Sequence, residues 1–310
     1  MGVSTSVTVS RPQDGTALVT VDRPPVNALP VQDWFDLADA VRAAGRDPGV
    51  RCVVLAAAGR GFNAGVDIKE MRRTPGHAAL LGANRGCYEA FAAVYDCEVP
   101  VVAAVRGHCL GGGIGLVGNA DAIVASDDAT FGLPELDRGA LGAATHLARL
   151  VPPHLMRTLY YTSRTVTAAE LHRHGSVWEV VPRDELLAAA LRLAGEIAAK
   201  DGYLLRLAKA AINGIDPVDV HRSYRFEQGF TFEANLSGVA DRHRDAFARS
   251  RENRGNRRNN TPADGPERGR SADTPGAGTP RAHPPRSDTP GADTPETDAP
   301  GTDAPEGKPS

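Results

Sequence analysis

The 310-residue sequence predicts an α/β fold, and three observations carry that expectation. Short β-branched runs bounded by turn residues, such as Val101-Val102-Ala103-Ala104-Val105, alternate with stretches of helical apolar spacing through the first two thirds of the chain. Helical patterns dominate the part that follows. From Arg251 onward apolar periodicity ceases and proline recurs every few residues, as in Asp288-Thr289-Pro290-Gly291. Such a composition cannot bury enough surface to offset chain entropy, so residues 251–310 are expected to form a disordered tail beyond the core.

In chain order, Thr16–Val21 alternates as a strand after a frayed start, and residues 22–27 form a loop. Residues 31–44 make an amphipathic helix through Trp34, Leu37, Ala38 and Val41, with Gly45 as its stop signal. Residues 50–57 read as a buried strand. The loop that follows, 58–66, leads to Asp67 with Glu70 three places on, a capping-box pattern that starts a helix and leaves the amide of Val66 just ahead of it. Residues 82–97 form a longer helix, packing Leu81, Tyr88, Phe91 and Val94. Short strands are expected at 122–125 and 129–132, before Leu133-Pro134-Glu135 sets a carboxylate on a constrained turn. After Gly142 helices dominate, with one strand at 177–181 and helices at 184–200, 204–212 and about 218–248.

Between Val105 and the next strand lies the stretch that organises the rest: residues 106–110, then Gly111-Gly112-Gly113-Ile114-Gly115. A buried strand that breaks into glycines and opens a helix lays backbone N–H groups bare, and the missing Cβ atoms let a ligand approach them. Gly113, Gly115 and Gly118 match a dinucleotide fingerprint by letter, but the strand at 122 begins too soon for a full crossover helix. The alternative chemistry is an oxyanion hole, in which two fixed amides stabilise charge developing on a carbonyl oxygen. The amides of Gly112 and Val66 are the candidate pair.

Net charge is −3, which gives no basis for a nucleic-acid surface. The four cysteines lack metal-ligand spacing and fit reduced thiols in a cytoplasm, with no metal expected. Met1-Gly2 through Ser6 matches a myristoylation pattern by letter, but no segment reads as a signal peptide or a membrane span, so no membrane partner is expected.

Gly61-Phe62-Asn63-Ala64-Gly65-Val66-Asp67-Ile68-Lys69-Glu70, the glycine stretch from Gly107 to Gly113, and Phe131-Gly132-Leu133-Pro134-Glu135 resemble the crotonase, or enoyl-CoA hydratase/isomerase, superfamily. That resemblance implies a spiral of repeated ββα units over residues 1–200, a helical trimerisation region over 201–250, and a homo-trimer or a hexamer of paired trimers. It implies no prosthetic group but a coenzyme A thioester as substrate, lying along Val26, Ala64, Val66, Asp67, Lys69 and Gly112. The thioester oxygen would sit between the amides of Val66 and Gly112, and Lys69 is a candidate phosphate contact, a solvated helix face being its alternative.

Hydratases of that superfamily use two glutamates, one where this chain has Gly115 and one at Glu135, so the departure favours chemistry with a single carboxylate. Pro24-Pro25-Val26-Asn27-Ala28, Arg138-Gly139-Ala140-Leu141-Gly142 and Glu227-Gln228-Gly229-Phe230 are further similar to a ring-opening hydrolase branch of bacterial steroid catabolism. Membership there implies hydrolysis of a ring carbon–carbon bond in the CoA thioester of a 7a-methyl-1,5-dioxo-hexahydroindene carboxylic acid, with Glu135 as base. His146 is a further candidate for a second base or an orienter of water, its alternative being a packed helix residue. An enoyl-CoA isomerase or hydratase, and a catalytically silent CoA-binding scaffold, are the competing readings.

Overall fold

The computed structural model describes residues 6–239, 241–246 and 249; the tail expected at 251–310 lies outside them. Two strands and a helix form the first unit: β1 (Val7–Gln13), β2 (Thr16–Val21) and α1 (Val31–Arg46). β3 (Cys52–Ala57), α2 (Ile68–Arg73) and α3 (Ala78–Tyr95) form the second. The pattern recurs as β4 (Val101–Val105), β5 (His108–Leu110) and α4 (Gly112–Val117), then as β6 (Ala122–Ser126), β7 (Thr130–Gly132) and α5 (Ala144–Leu147). There follow α6 (Pro153–Thr162), β8 (Thr165–Thr167), α7 (Ala168–Arg173), β9 (Glu179–Val181), α8 (Leu186–Ala198), α9 (Gly202–Gly214) and α10 (Arg225–Leu236).

The larger sheet runs β1-β2-β3-β4-β6-β9, parallel except for the β1–β2 pair, and the smaller runs β5-β7-β8. The third and fourth units thus place one strand in each sheet, the first places both of its strands in the larger one, and isolated bridges tie Asn63 to Cys109 and Leu29 to Val66 where the second unit has loop instead of a second strand. All six side chains of β3 are buried, because both faces of this central parallel strand are covered. Val53 and Leu55 face the core under α1 and α3, while Cys52, Val54 and Ala56 face Leu186, Ala190 and Ala194 of α8.

Several elements depart from the sequence expectation. β1 is an edge strand with mostly exposed side chains, so it lacked the alternation that marks a half-buried strand. α1 runs through Gly45 to Arg46, because an added Cβ there would lie 2.7 Å from Cys97 Sγ and the glycine serves close packing, not termination. α3 begins at Ala78 and ends at Tyr95, and Leu81 on it is exposed. Asp67 does cap α2, accepting from Lys69 N at 2.9 Å, but the box stays open: Glu70 Oε2 accepts from Val31 N at 2.8 Å, at the start of α1. The long helix expected from 218 is broken, with a π-helical turn at Val220–Tyr224, then α10, then a left-handed Gly238 (φ +72°). Among the described residues no helix is long and apolar enough to cross a membrane.

Candidate active site

The glycine stretch opens α4 as expected, and its geometry exposes the amides. Gly111 has φ +58° and donates its N–H to Gly132 O, which turns the next amide, that of Gly112, away from the sheet. The loop before α2 lies directly against it, since a Cβ on Gly65 (φ +86°) would come within 3.3 Å of Gly112 N. Asn63 fixes that loop: its Nδ2 donates to Asn27 O and its Oδ1 accepts from Gly65 N, both at 2.8 Å. Leu29 N donates to Gly65 O and Asp67 N to Leu29 O, so the N–H of Val66 between them faces the opposite side. Neither Val66 N–H nor Gly112 N–H has a protein acceptor among the described residues. Two turns far apart in sequence thus bring two unpaired amides to one place.

A cavity opens in front of them, lined by Ala64, Gly65, Val66, Gly111, Gly112 and Glu135, with Cys87 and Phe91 of α3 and Tyr224, Thr231 and Asn235 of the C-terminal helices. Glu135 enters from the turn after β7, its Oε1 2.6 Å from where a Cβ on Gly111 would stand. Its Oε2 is buried with no hydrogen-bond partner among the described residues. Burial raises its pKa to about 8, with the Glu227 carboxylate adding to the rise and Arg138 opposing it. A carboxyl that titrates near neutrality and faces a cavity has the properties of an acid–base group. Glu227 itself is tied down, accepting from Ala144 N (2.8 Å), Thr145 N (3.0 Å) and Thr145 Oγ1 (3.0 Å) at the start of α5.

Gly115 has a steric explanation. A Cβ on it would lie 2.2 to 2.5 Å from the Phe91 ring. That ring is itself clamped, edge-on to Trp34 at 5.8 Å and against His146 at 5.0 Å and Tyr224 at 5.3 Å. The aromatic cluster fills the position a side chain at 115 would occupy, so the cavity has one carboxyl where a glutamate at 115 would have made two.

His146 is placed otherwise than expected for a second base. It is fully buried, does not line the cavity, and is packed against Phe91 and Tyr224 (4.7 Å), both of which do. Asn119 Nδ2 donates to both Gly115 O (2.6 Å) and His146 Nδ1 (2.9 Å), which makes Nδ1 the acceptor and puts the proton on Nε2. Burial holds its pKa down at about 3, with Arg149 contributing, so the ring is neutral. The packed-residue alternative fits this geometry.

The remaining sequence candidates fall in two groups. Ala64, Val66 and Gly112 line the cavity; Lys69 is exposed on α2, outside it. Val26 is half-buried and its carbonyl accepts from His108 Nε2 at 3.0 Å, while the Asp67 side chain is committed to its cap. Asp121 is structural, pairing with Lys209 Nζ (2.6 and 2.7 Å) and accepting from Val101 N (2.8 Å). Thr231, Asn235 and Arg244 reach the cavity without a local signal in the sequence, because their approach depends on how the C-terminal segments fold back, while Arg138 reaches it from the short turn just after Glu135.

The enoyl-CoA hydratase/isomerase family model matches residues 11–232. The chain belongs to that family. Over 241 residues it is 68% identical to the (7aS)-7a-methyl-1,5-dioxo-2,3,5,6,7,7a-hexahydro-1H-indene-carboxyl-CoA hydrolase of Rhodococcus jostii, covering 78% of this chain and 93% of that protein. The protein of the same name from Mycobacterium tuberculosis is 66% identical over 243 residues, covering 78% and 98% respectively. A solved enoyl-CoA hydratase/isomerase from Xanthobacter autotrophicus superposes with a TM-score of 0.73 at 29% identity, covering 82% of this chain and 95% of that one. The family's fold is therefore this chain's fold, and the spiral of ββα units follows from it.

Proposed function

We propose that this enzyme opens the five-membered ring of the hexahydroindene carboxyl-CoA thioester by hydrolysing a carbon–carbon bond. The observation that carries the reading is the single buried Glu135 carboxyl beside two unpaired amides, with the site of a second carboxylate filled by Phe91. Identity above 60% to two hydrolases of that name supports the substrate. Coenzyme A enters as part of the substrate, along Val26, Ala64, Val66, Asp67 and Lys69, and no prosthetic group takes part.

The chemistry follows from the groups present. Ionised Glu135 takes a proton from water while the hydroxide equivalent adds to the ring ketone. The tetrahedral adduct collapses to a carboxylic acid, and the electron pair of the broken bond moves through the alkene onto the thioester oxygen. The N–H groups of Val66 and Gly112 stabilise that charge, an arrangement in which each donor lowers the barrier by about 2.7–4 kcal/mol. Proton return to the carbon skeleton restores the thioester, so the elements of one water molecule are added.

The apolar side chains exposed on the C-terminal helices, among them Leu204, Leu207, Ile212, Phe226 and Phe230, support assembly as a homo-trimer or hexamer. Four buried free thiols fit a reducing cytoplasm. The deciding experiment presents purified protein with the bicyclic thioester and, separately, with a 3-enoyl-CoA. Consumption of the bicycle with gain of one water supports the hydrolase; isomerisation of the enoyl-CoA with the bicycle untouched makes the protein an isomerase instead.

A further inference from the structure

The cavity holds a second charged group that the reaction as written leaves without a role. Arg244 lies on a helical turn at 241–246, beyond Gly238, with its side chain only 14% exposed, and it lines the same cavity as Glu135. A chain of hydrogen bonds through buried polar residues delivers it there. Thr231 Oγ1 donates to Leu141 O (3.1 Å), Asn235 Nδ2 donates to Thr231 O (2.7 Å), and Arg244 Nη1 donates to Asn235 Oδ1 (2.8 Å). Leu141, Thr231 and Asn235 also line the cavity. One further bond, from Nη2 to Asp241 Oδ1 at 2.6 Å, fixes the guanidinium from its solvent side, where Asp241 is 70% exposed. These two bonds leave guanidinium N–H groups for a ligand.

A guanidinium held by partners on one side and facing a largely apolar cavity on the other is suited to a planar oxyanion. Ring opening creates one. The ketone carbon, neutral in the substrate, becomes a carboxylate in the product, within a cavity that the Glu135 carboxyl also lines and where it repels the new charge once it has returned its proton to the carbon skeleton. We propose that Arg244 binds this nascent carboxylate, drawing it away from Glu135 and distinguishing the ring-opened acid from neutral acyl groups. The proposal rests on the ring-opening reading above. Arg138 also lines the cavity, but it stands three residues from Glu135 and its charge acts on that carboxyl, so the clean test is at Arg244.

Calorimetric titration of full-length wild type, Arg244→Met and Arg244→Lys with three probes separates the possibilities: the ring-opened acyl-CoA, its methyl ester at the new carboxylate, and free coenzyme A. Loss of a charge-assisted pair is expected to weaken binding of the acid by about ten- to hundredfold in Arg244→Met, less in Arg244→Lys. The ester and free coenzyme A should bind both variants within about twofold of wild type, which also shows that the variants are folded. Equal binding of the acid by wild type and Arg244→Met overturns the role of Arg244 and leaves the reaction standing. A parallel loss for free coenzyme A also overturns it, placing Arg244 on a phosphate instead. Wild type that leaves the bicyclic thioester intact overturns the reaction itself, and the proposal with it.

Discussion

Glu135 and His146 are both buried ionisable groups with one polar atom, Oε2 or Nε2, that has no hydrogen-bond partner among the described residues. Both are shifted toward neutrality, the carboxyl up to about 8 and the imidazole down to about 3. Access separates them. Glu135 lines the cavity beside Gly111, whereas His146 is packed behind Phe91 and Tyr224 and hydrogen-bonded to Asn119. Desolvation alone perturbs a group without making it catalytic; an open path to the reacting atoms is the second requirement.

The comparison breaks most directly at Glu135. Glu135→Gln keeps the shape and removes the base, so kcat should fall by about 10²- to 10⁴-fold in the ring-opening assay; turnover within a factor of about two of wild type would remove Glu135 from the mechanism. Gly111→Ala tests the neighbouring packing: its Cβ meets Glu135 Oε1 at 2.6 Å on a backbone with φ +58°, and a displaced carboxyl should slow turnover by up to about a hundredfold. His146→Ala should do the reverse, lowering stability in chemical denaturation by about 2–4 kcal/mol through the cavity and the abandoned Asn119 amide. Its kcat/KM per folded molecule should stay near that of wild type. Gly115→Ala, driven into the Phe91 ring, should cost about 1–3 kcal/mol of stability.

The two groups also predict opposite pH effects on stability. Glu135 is raised from 4.5 to about 8, so its contribution is full below pH 4.5 and is lost as pH rises through about 8. His146 is lowered from 6.5 to about 3, so its contribution is present above pH 6.5 and is lost as pH falls toward 3. Melting temperatures of wild type and Glu135→Gln should therefore draw apart as pH rises from about 4.5 to about 8, the variant gaining on wild type across that window and keeping its advantage at alkaline pH. In the same range kcat/KM of wild type should climb as Glu135 ionises.

What was legible in the sequence follows the same division between local and distant causes. β2, β4, β6 and β7 were readable because their β-branched runs and bounding turns are local signals, and the glycines of residues 111–113 announced exposed amides for the same reason. The Asp67 cap was readable, but Glu70 was not, since a better partner in Val31 N lay across the fold. The position of His146 depended on Phe91 and Tyr224, more than fifty residues away on either side, and that of Arg244 on a hydrogen-bond chain through Asn235 and Thr231. The absence of a glutamate at 115 could be read, but its cause, the ring of Phe91, required the packing.

The most direct test runs the reaction in water enriched in heavy oxygen and analyses the products by mass spectrometry. Ring opening by Glu135-activated water places one heavy oxygen in the new carboxyl group of an acyl chain still joined to coenzyme A, and Glu135→Gln yields almost none. Label in a tertiary alcohol of the intact bicycle, free coenzyme A released with a labelled acyl acid, or rearranged product with no label would each contradict the account.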